Sequence, residues 1–397
     1  MLESILKNVR VLDLTQNIAG PFCTEILADF GAEVIKIERP GTGDDTRSWR
    51  PPVIGGESAT FLALNRNKKS VGIDLGRTEG RALVHELAAG ADVFVHSMRP
   101  GSSGAKAFGY EALGARNAGL IYLSISAYGE TGPMKELPGY DPLLQAFTGI
   151  VSVSGGEGDP PSRVGPSIVD MGTGMWSAIG ILGALIERGR SGRGMRVETS
   201  LLGTGLSWMT LPIASYLASG RLPRRMGSAT PVAAPYELFR TTDGLVFIAA
   251  GNDRLYRRIC EALGCPELGA DPRFADNALR LAARPELHDL LEARTALRST
   301  ADNLALLRAA GAPCSEVNDV SQAVAHEQVA ASGMIVGLPV EGAPAHRAVA
   351  LPIAVDGARS AALAAPPRLG EHTDEVLRAA GITDARLAAL RSAGVIA

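Results

Sequence analysis

Cysteine is scarce in this chain: Cys23, Cys260, Cys265 and Cys314 are scattered through 397 residues, with no C-x-x-C pair and no histidine at metal-ligand spacing. That leaves neither a disulfide framework nor a zinc site to expect. Basic excess is also missing. Lys and Arg number 39 against 42 Asp and Glu, for a net charge of −3, so nothing suggests a general grip on nucleic-acid phosphates. The apolar uncharged run at residues 171–186 falls short of the ~20 apolar residues a bilayer crossing needs, and MLESILKNVR lacks a signal-peptide apolar segment. The expectation is a soluble, cytoplasmic protein with no membrane and no nucleic-acid partner. A fourth absence lies between residues 15 and 21, where Thr-Gln-Asn-Ile-Ala-Gly-Pro lacks the glycine spacing that lets a dinucleotide pyrophosphate approach.

What is present is a large apolar fraction, 46%, in a chain long enough for two domains. Residues 9–14 read as a strand, 21–30 as a helix and 34–38 as a second strand, a βαβ unit of Rossmann-like type. A nicotinamide reading would cast Glu38 as the ribose-binding acid, but the missing glycines speak against it. The alternation continues through strands at 70–75, 91–95, 120–127 and 195–200 and a helix at 78–89, predicting a largely parallel sheet covered by helices. A single uncharged helix is expected over 201–218, then a linker. Strands at 236–240 and 245–250 flank the turn Thr241-Thr242-Asp243-Gly244, and helices follow to 310. The tail suggests a strand at 346–355 and two amphipathic helices. The predicted class is α/β: a Rossmann-like large domain (1–200), a linker helix and loop (201–225), a smaller α+β domain (226–325) and a return to the large domain (326–397).

Asp170 stands out as a lone carboxylate before the uncharged run 171–186, which reads as one buried helix. Two readings fit. An Asp at a helix start accepts free backbone N–H bonds and favours the positive end of the dipole, and spacing alone favours this cap. A carboxylate among glycines can instead be approached closely and act as a nucleophile, ionised at neutral pH from an ordinary pKa near ~3.9. Asp141 and Gln145, four apart, share a helix face and are candidates to position Tyr140 and Asp170; a plain cap with a surface glutamine is the other reading.

Four segments then fall into a recognisable order: LDLTQNIAGPFCTEILADFGAEVIKIERPG from Leu12, NRNKKSVGIDL from Asn65, GYDPLLQAFTG from Gly139, and PSRVGPSIVDMGTGMWSAIGILGALIERGRSGRG from Pro161. Together they resemble the family III CoA-transferases, which include formyl-CoA transferase and carnitine CoA-transferase. The likeness continues through PYELFRTTDGLVFIAAGNDRLYRRICEALG, PCSEVNDVSQAVAHEQV and PPRLGEHTDEVL, nearly the full length. It implies an interlocked homodimer and an acyl-accepting aspartate at Asp170, with Tyr140 and Asp141 as secondary catalytic candidates. It also implies CoA as co-substrate without a tightly bound cofactor, held near Gln16, Ala19, Arg39, Asn65, Asn67, Lys68, Lys69, Ser97, Met98, Gly101 and Lys106. Arg39, Lys68 and Lys69 would offer positive charge to the CoA phosphates; a solvated pair is the plainer reading of the two lysines.

The departures carry information too. Ile18 stands where formyl-CoA transferase has a glutamine, Ser97-Met98 replaces its Asn-Phe pair, Lys106 substitutes for an arginine falling near Ala105, and residues 226–230 do not reproduce its glycine-rich flap. Oxalate is therefore not the expected acceptor. GDDTRSWRPPVIGGES is similar to the subgroup that takes CoA from succinyl-CoA to small dicarboxylates. The expected acceptor is a short dicarboxylate, its second carboxylate met by Arg47, Arg163, Arg224 or Arg225 through a two-point guanidinium contact. Alternatives are an acyl-CoA racemase, disfavoured because Tyr140 stands where that group has a histidine and a phenol is a poor base near neutrality, and a non-catalytic CoA-binding protein.

Overall fold

The computed structural model describes residues 2–359 and 363–397. Six parallel strands form the main sheet: β1 (Arg10–Leu14), β2 (Glu33–Glu38), β3 (Lys68–Gly72), β4 (Val93–His96), β5 (Ile121–Ser126) and β6 (Arg196–Ser200). Their spatial order is 3-2-1-4-5-6, so the winding direction reverses between β1 and β4. Every residue of β4 and β5 is buried, as expected of parallel strands covered on both faces. Strand periodicity divides the apolar side chains. Leu12, Leu14, Ile35 and Ile37 join one core with Leu83, Val84 and Leu87 of helix α2 (Thr78–Ala89), and Val376, Leu377, Leu387 and Ile396 complete it. Val11 and Val34 alternate with them and are also buried. Helix α1 (Ala19–Asp29) follows β1; α3 (Asp141–Phe147) and α4 (Ile168–Ser191) follow β5.

Helix α4 has 24 residues, more than the uncharged run suggested, because Ile168, Val169 and Asp170 form its first turn and Glu187 to Ser191 its last. By length and composition it is long and apolar enough to cross a bilayer, yet Val169, Gly172, Thr173, Gly174, Ser177, Ala178, Ile181 and Ala184 are buried inside the protein. The single helix expected over 201–218 is two, α5 (Leu201–Trp208) and α6 (Thr210–Ser219). Pro212 has no N–H for the Trp208 carbonyl, and the Thr210 hydroxyl takes the Ser207 carbonyl instead.

The described residues fall into two compact units, 1–150 with 163–214 and 327–397, and 151–162 with 215–326. Segment 151–162 thus belongs with the second unit, which the sequence did not suggest. That unit has a three-stranded antiparallel sheet of β7 (Tyr236–Arg240), β8 (Leu245–Ala249) and β9 (Cys314–Glu316), in the order 9-8-7. Helices α7 (Asp253–Ala262), α8 (Arg284–Thr295) and α9 (Thr300–Ala309) share its core around Phe239, Val246, Ile259 and Leu291. In the first unit the tail strand expected over 346–355 is only Arg347–Val349, paired with Ile335–Gly337. Helices α10 (Thr373–Ala379) and α11 (Asp384–Ser392) then return to β3, where Ile396 bridges Ile73.

Candidate active site

In an open parallel sheet the crevice at the reversal of strand order, outside the carboxyl ends, is where loops part and leave room for a ligand. A cleft of about 220 Å3 lies there. Gln16 to Gly20 follow β1, Ser97, Arg99 and Pro100 follow β4, and Ile125 to Ala127 end β5; Trp49, Leu137 to Tyr140, Asp170 and Leu201 complete the lining. Tyr140 is 56% exposed at the start of α3. Glu38, the acid a nicotinamide site would need, is buried and held by Arg47 through two hydrogen bonds of 2.8 Å, so it meets no ribose.

Asp170 is the third residue of α4, and among the described residues nothing is hydrogen bonded to its carboxylate. Burial first, and the nearby Asp141 carboxylate second, push its pKa up to about 7. This corrects the expectation of a fully ionised group with an ordinary pKa, and it corrects the cap reading as well. The cap comes from another helix: Asp141 Oδ2 accepts the Val169 N–H at 2.7 Å and the Asp170 N–H at 3.2 Å. Its Oδ1 accepts from Gln145 Nε2 at 2.5 Å, while Gln145 Oε1 accepts the Val164 N–H at 2.9 Å, so this buried glutamine ties down the approach to α4.

Gly172 and Gly174 serve packing. A Cβ on Gly174 would lie 2.7 Å from the Ala19 carbonyl oxygen, so α1 and α4 touch backbone to backbone beside Asp170. Both glycines lie past the first turn of α4, where N–H groups are taken by the helix's own carbonyls. The free donors are on α1. Its N-cap, Ile18, offers no side-chain bond, its first turn has no acid, and Pro21 has no N–H; Ala19 and Gly20 therefore present the uncompensated amides at the positive helix end, and both line the cleft.

Of the expected CoA residues, Gln16, Ala19 and Ser97 line this cleft, and the Gln16 N–H donates to Ser97 Oγ at 3.3 Å. Arg39 borders it, paired with Asp45 and donating to Gln16 Oε1 at 3.4 Å. Met98 follows buried His96, whose Nδ1 accepts the Met98 N–H at 3.1 Å; Gly101 turns the chain at φ +78°, and Lys106 is exposed on the short helix Ser103–Ala107. Asn65, Asn67, Lys68 and Lys69 are not brought to the cleft. They precede or begin β3, at the amino ends of the strands. Lys68 is wholly buried, bonded to the Pro21 carbonyl and Asn65 and paired with Asp13, so its ammonium does not reach a phosphate in solvent. Lys69 pairs with Glu33 and Glu375, and Asn67 joins Asp29 to the Ala364 amide.

The arginines expected at a second carboxylate are also spoken for. Arg47 is buried between Glu38 and the Phe61 ring, 3.6 Å from the ring centre. Arg163 donates to its own loop at Val164 and Gly165; in the second unit Arg224 pairs with Glu157, and Arg225 bonds the Gly156 and Asp159 carbonyls. Arg99, exposed and lining the cleft, lies in the segment 96–101 that the resemblance places near CoA but was not singled out there; Arg-Pro-Gly after a strand at the reversal point was its signal. Among the described residues no group of three or more His, Cys, Asp or Glu could hold a metal.

A model of CoA-transferase family III matches residues 6–373. The chain is 38% identical to a succinyl-CoA:glutarate CoA-transferase of Mus musculus, across 94% of this chain and 86% of that one. It is 38% identical to an acetyl-CoA:oxalate CoA-transferase of Acetobacter aceti, across 84% and 87%. A crystal structure of a CAIB/BAIF family protein from Brucella suis superposes with a TM-score of 0.83 at 37% identity, covering 94% of this chain and 99% of the other.

Proposed function

Because the chain belongs to CoA-transferase family III and is an enzyme of that family, we propose that it moves CoA from succinyl-CoA to a short dicarboxylic acid, with Asp170 as the nucleophile. The observation that carries this reading is the Asp170 carboxylate, without a hydrogen-bond donor among the described residues, in the crevice lined also by Ala19 and Gly20. An Asp170 oxygen attacks the thioester carbonyl, the C–S bond breaks, and CoA leaves as thiolate with a mixed anhydride left on the enzyme. The thiolate then attacks the aspartyl carbonyl, releasing the donor acid and leaving an aspartyl-CoA thioester. The acceptor carboxylate opens that thioester by the same steps in reverse. In each tetrahedral stage negative charge develops on a carbonyl oxygen, and the α1 amides are the preorganised donors for it. Ionisation at about 7 suits Asp170: enough carboxylate forms at neutral pH, and its higher basicity makes it a better nucleophile than an ordinary one.

CoA acts as co-substrate, with no tightly bound cofactor. Arg39 and Arg99 supply the cationic charge that Lys68 and Lys69 do not. The dicarboxylate reading is supported by the acceptors named for the glutarate and oxalate enzymes, and the latter brings oxalate back into the range to be tried. The enzyme works as a homodimer. Met175, Trp176, Ile179 and Ile186 along α4, with Leu211 at the start of α6, expose apolar side chains that a second copy would cover. Incubating succinyl-CoA with a panel of mono- and dicarboxylic acids, with mass detection of new CoA esters, tests the proposal. No ester with any dicarboxylate, or full turnover by Asp170→Asn, would overturn it.

A further inference from the structure

Two turns that line the cleft, the one with Gln16 to Gly20 and the one with Trp49, are tied together by a buried ion pair. Lys36 Nζ and Asp44 Oδ2 are 2.8 Å apart with both side chains fully buried. Lys36 Nζ also donates to the Thr15 carbonyl at 2.9 Å. Asp44 Oδ1 accepts the Asn17 N–H at 3.2 Å, the Thr46 N–H at 2.9 Å and the Thr46 hydroxyl at 2.8 Å. The Asp44 N–H in turn donates to Glu38, which Arg47 holds. One carboxylate thus binds the turn that carries Gln16 to Gly20 and, through Thr46, the turn that carries Trp49.

Asn17 adds the second observation. Its φ is +67°, in the left-handed region that asparagine enters more readily than most residues but still less freely than glycine. Such a conformation persists where its surroundings over-determine it, and residues held this way cluster at functional sites. The surroundings here are the Asp44 acceptor below and the crowding of Thr15, whose Cβ lies 2.2 Å from where a Cβ on Gly20 would sit. The turn between Thr15 and Gly20 has little alternative path while Asp44 holds Asn17.

We infer that the Lys36–Asp44 pair is a positioning device for the transfer reaction: it fixes Asn17 in its left-handed conformation and so aims the Ala19 and Gly20 amides at the carbonyl oxygen on which negative charge develops when Asp170 attacks. The inference rests on the reading of this cleft as the transfer site. Neither side chain touches substrate. The pair acts on the geometry of the chemical step, where a misplacement of about 1 Å costs about 100-fold, and leaves the CoA-facing charges alone.

The experiment measures kcat for succinyl-CoA-dependent transfer, CoA affinity by calorimetry and the unfolding midpoint. Lys36→Met with Asp44→Ala removes the pair without stranding one buried charge; kcat should fall by about 30-fold while CoA affinity stays within about threefold. Adding Asn17→Gly, which enters the left-handed region freely, should recover about fivefold of that loss, measured against Asn17→Gly alone. Lys36→Met with Asp44→Asn keeps a neutral acceptor for Asn17 and should retain more kcat than the Ala version. If the Ala version does not fold, the same idea is tested from the surface: Asn17→Val should lower kcat about tenfold more than Asn17→Gly does, since a β-branched residue resists this conformation. Unchanged kcat in the pair variants sinks the inference while leaving the site reading intact. So does a joint fall of kcat, CoA affinity and midpoint without recovery by Asn17→Gly, or equal kcat for Asn17→Val and Asn17→Gly. Absence of CoA transfer by the unmodified enzyme with every acceptor would remove the reading and this inference together.

Discussion

Replacing Asp170 by Asn should make the protein more stable, by an amount that grows as pH rises from 3.8 and is complete above about 7. Burial, with help from Asp141, raises the Asp170 pKa from 3.8 to about 7, which disfavours the ionised form by about 4 kcal/mol. An acid whose pKa is higher folded than unfolded binds its proton more tightly in the folded state. Stability is therefore lost as pH rises from 3.8 towards 7, and the whole penalty is present above 7. Water in the open cleft screens part of it, so a realised gain of about 2 kcal/mol at pH 8 is a fair expectation for the neutral, same-shaped amide. The gain should fall to roughly half at pH 4.5, where the folded aspartate is largely protonated while most unfolded chains are still ionised, and vanish at about pH 3. The three tryptophans, Trp49, Trp176 and Trp208, all lie in the first unit, so fluorescence during urea unfolding reports on the unit that matters. Equal midpoints for the two proteins at pH 8, or the same gain at pH 8 and pH 4.5, would refute the assignment of a buried, unpaired Asp170.

The catalytic pH profile should follow the same group: kcat/KM for succinyl-CoA should fall about tenfold per pH unit well below 7, and Asp141→Asn, by removing the second cause of the raised pKa, should move that limb to lower pH; a limb that stays in place denies the coupling. Gly174→Ala puts a methyl 2.7 Å from the Ala19 carbonyl oxygen and should cost about 1–3 kcal/mol of stability as α1 is pushed from α4, with a larger loss of kcat than of CoA affinity; unaltered denaturation and turnover would show that the helices have slack. Arg99→Ala should raise KM for one substrate about tenfold with kcat little changed. A rise for succinyl-CoA alone assigns Arg99 to CoA, a rise for the acceptor with lost preference for dicarboxylates assigns it to the second carboxylate, and no rise for either removes it from the site.

Much of the first unit could be read from periodicity because its strands are buried on both faces and its helices on one. Residues 78–89 and 236–240 coincide with their elements end to end. The 3-2-1-4-5-6 order needed pairings between strands far apart in the chain, which a period does not carry. Asp170 was legible as a carboxylate in an uncharged stretch, and Asp141 and Gln145 as candidates to position it; that Asp141 does so by capping α4 was not, because it reaches Asp170 from 29 residues away. Lys68 and Lys69 were misplaced for a reason the sequence did contain. They open a strand, and in a parallel sheet the amino ends lie opposite the crevice. Arg47 looked available because its partners Glu38 and Phe61 are separated from it by turns whose geometry sets the contact.

The return of α10, α11 and Ile396 to β3 bears on how the molecule is made. A chain emerging from the ribosome presents Leu12, Ile35 and Val71 hundreds of residues before Val376, Leu387 and Ile396 arrive to cover them. At ordinary synthesis rates of about 5–20 residues per second that interval lasts about 15 s or more, a period in which apolar strand faces are open to chaperones and to aggregation. Shortening the tail would prolong that exposure indefinitely, so changes far from Asp170 should register first as poor yield from cells.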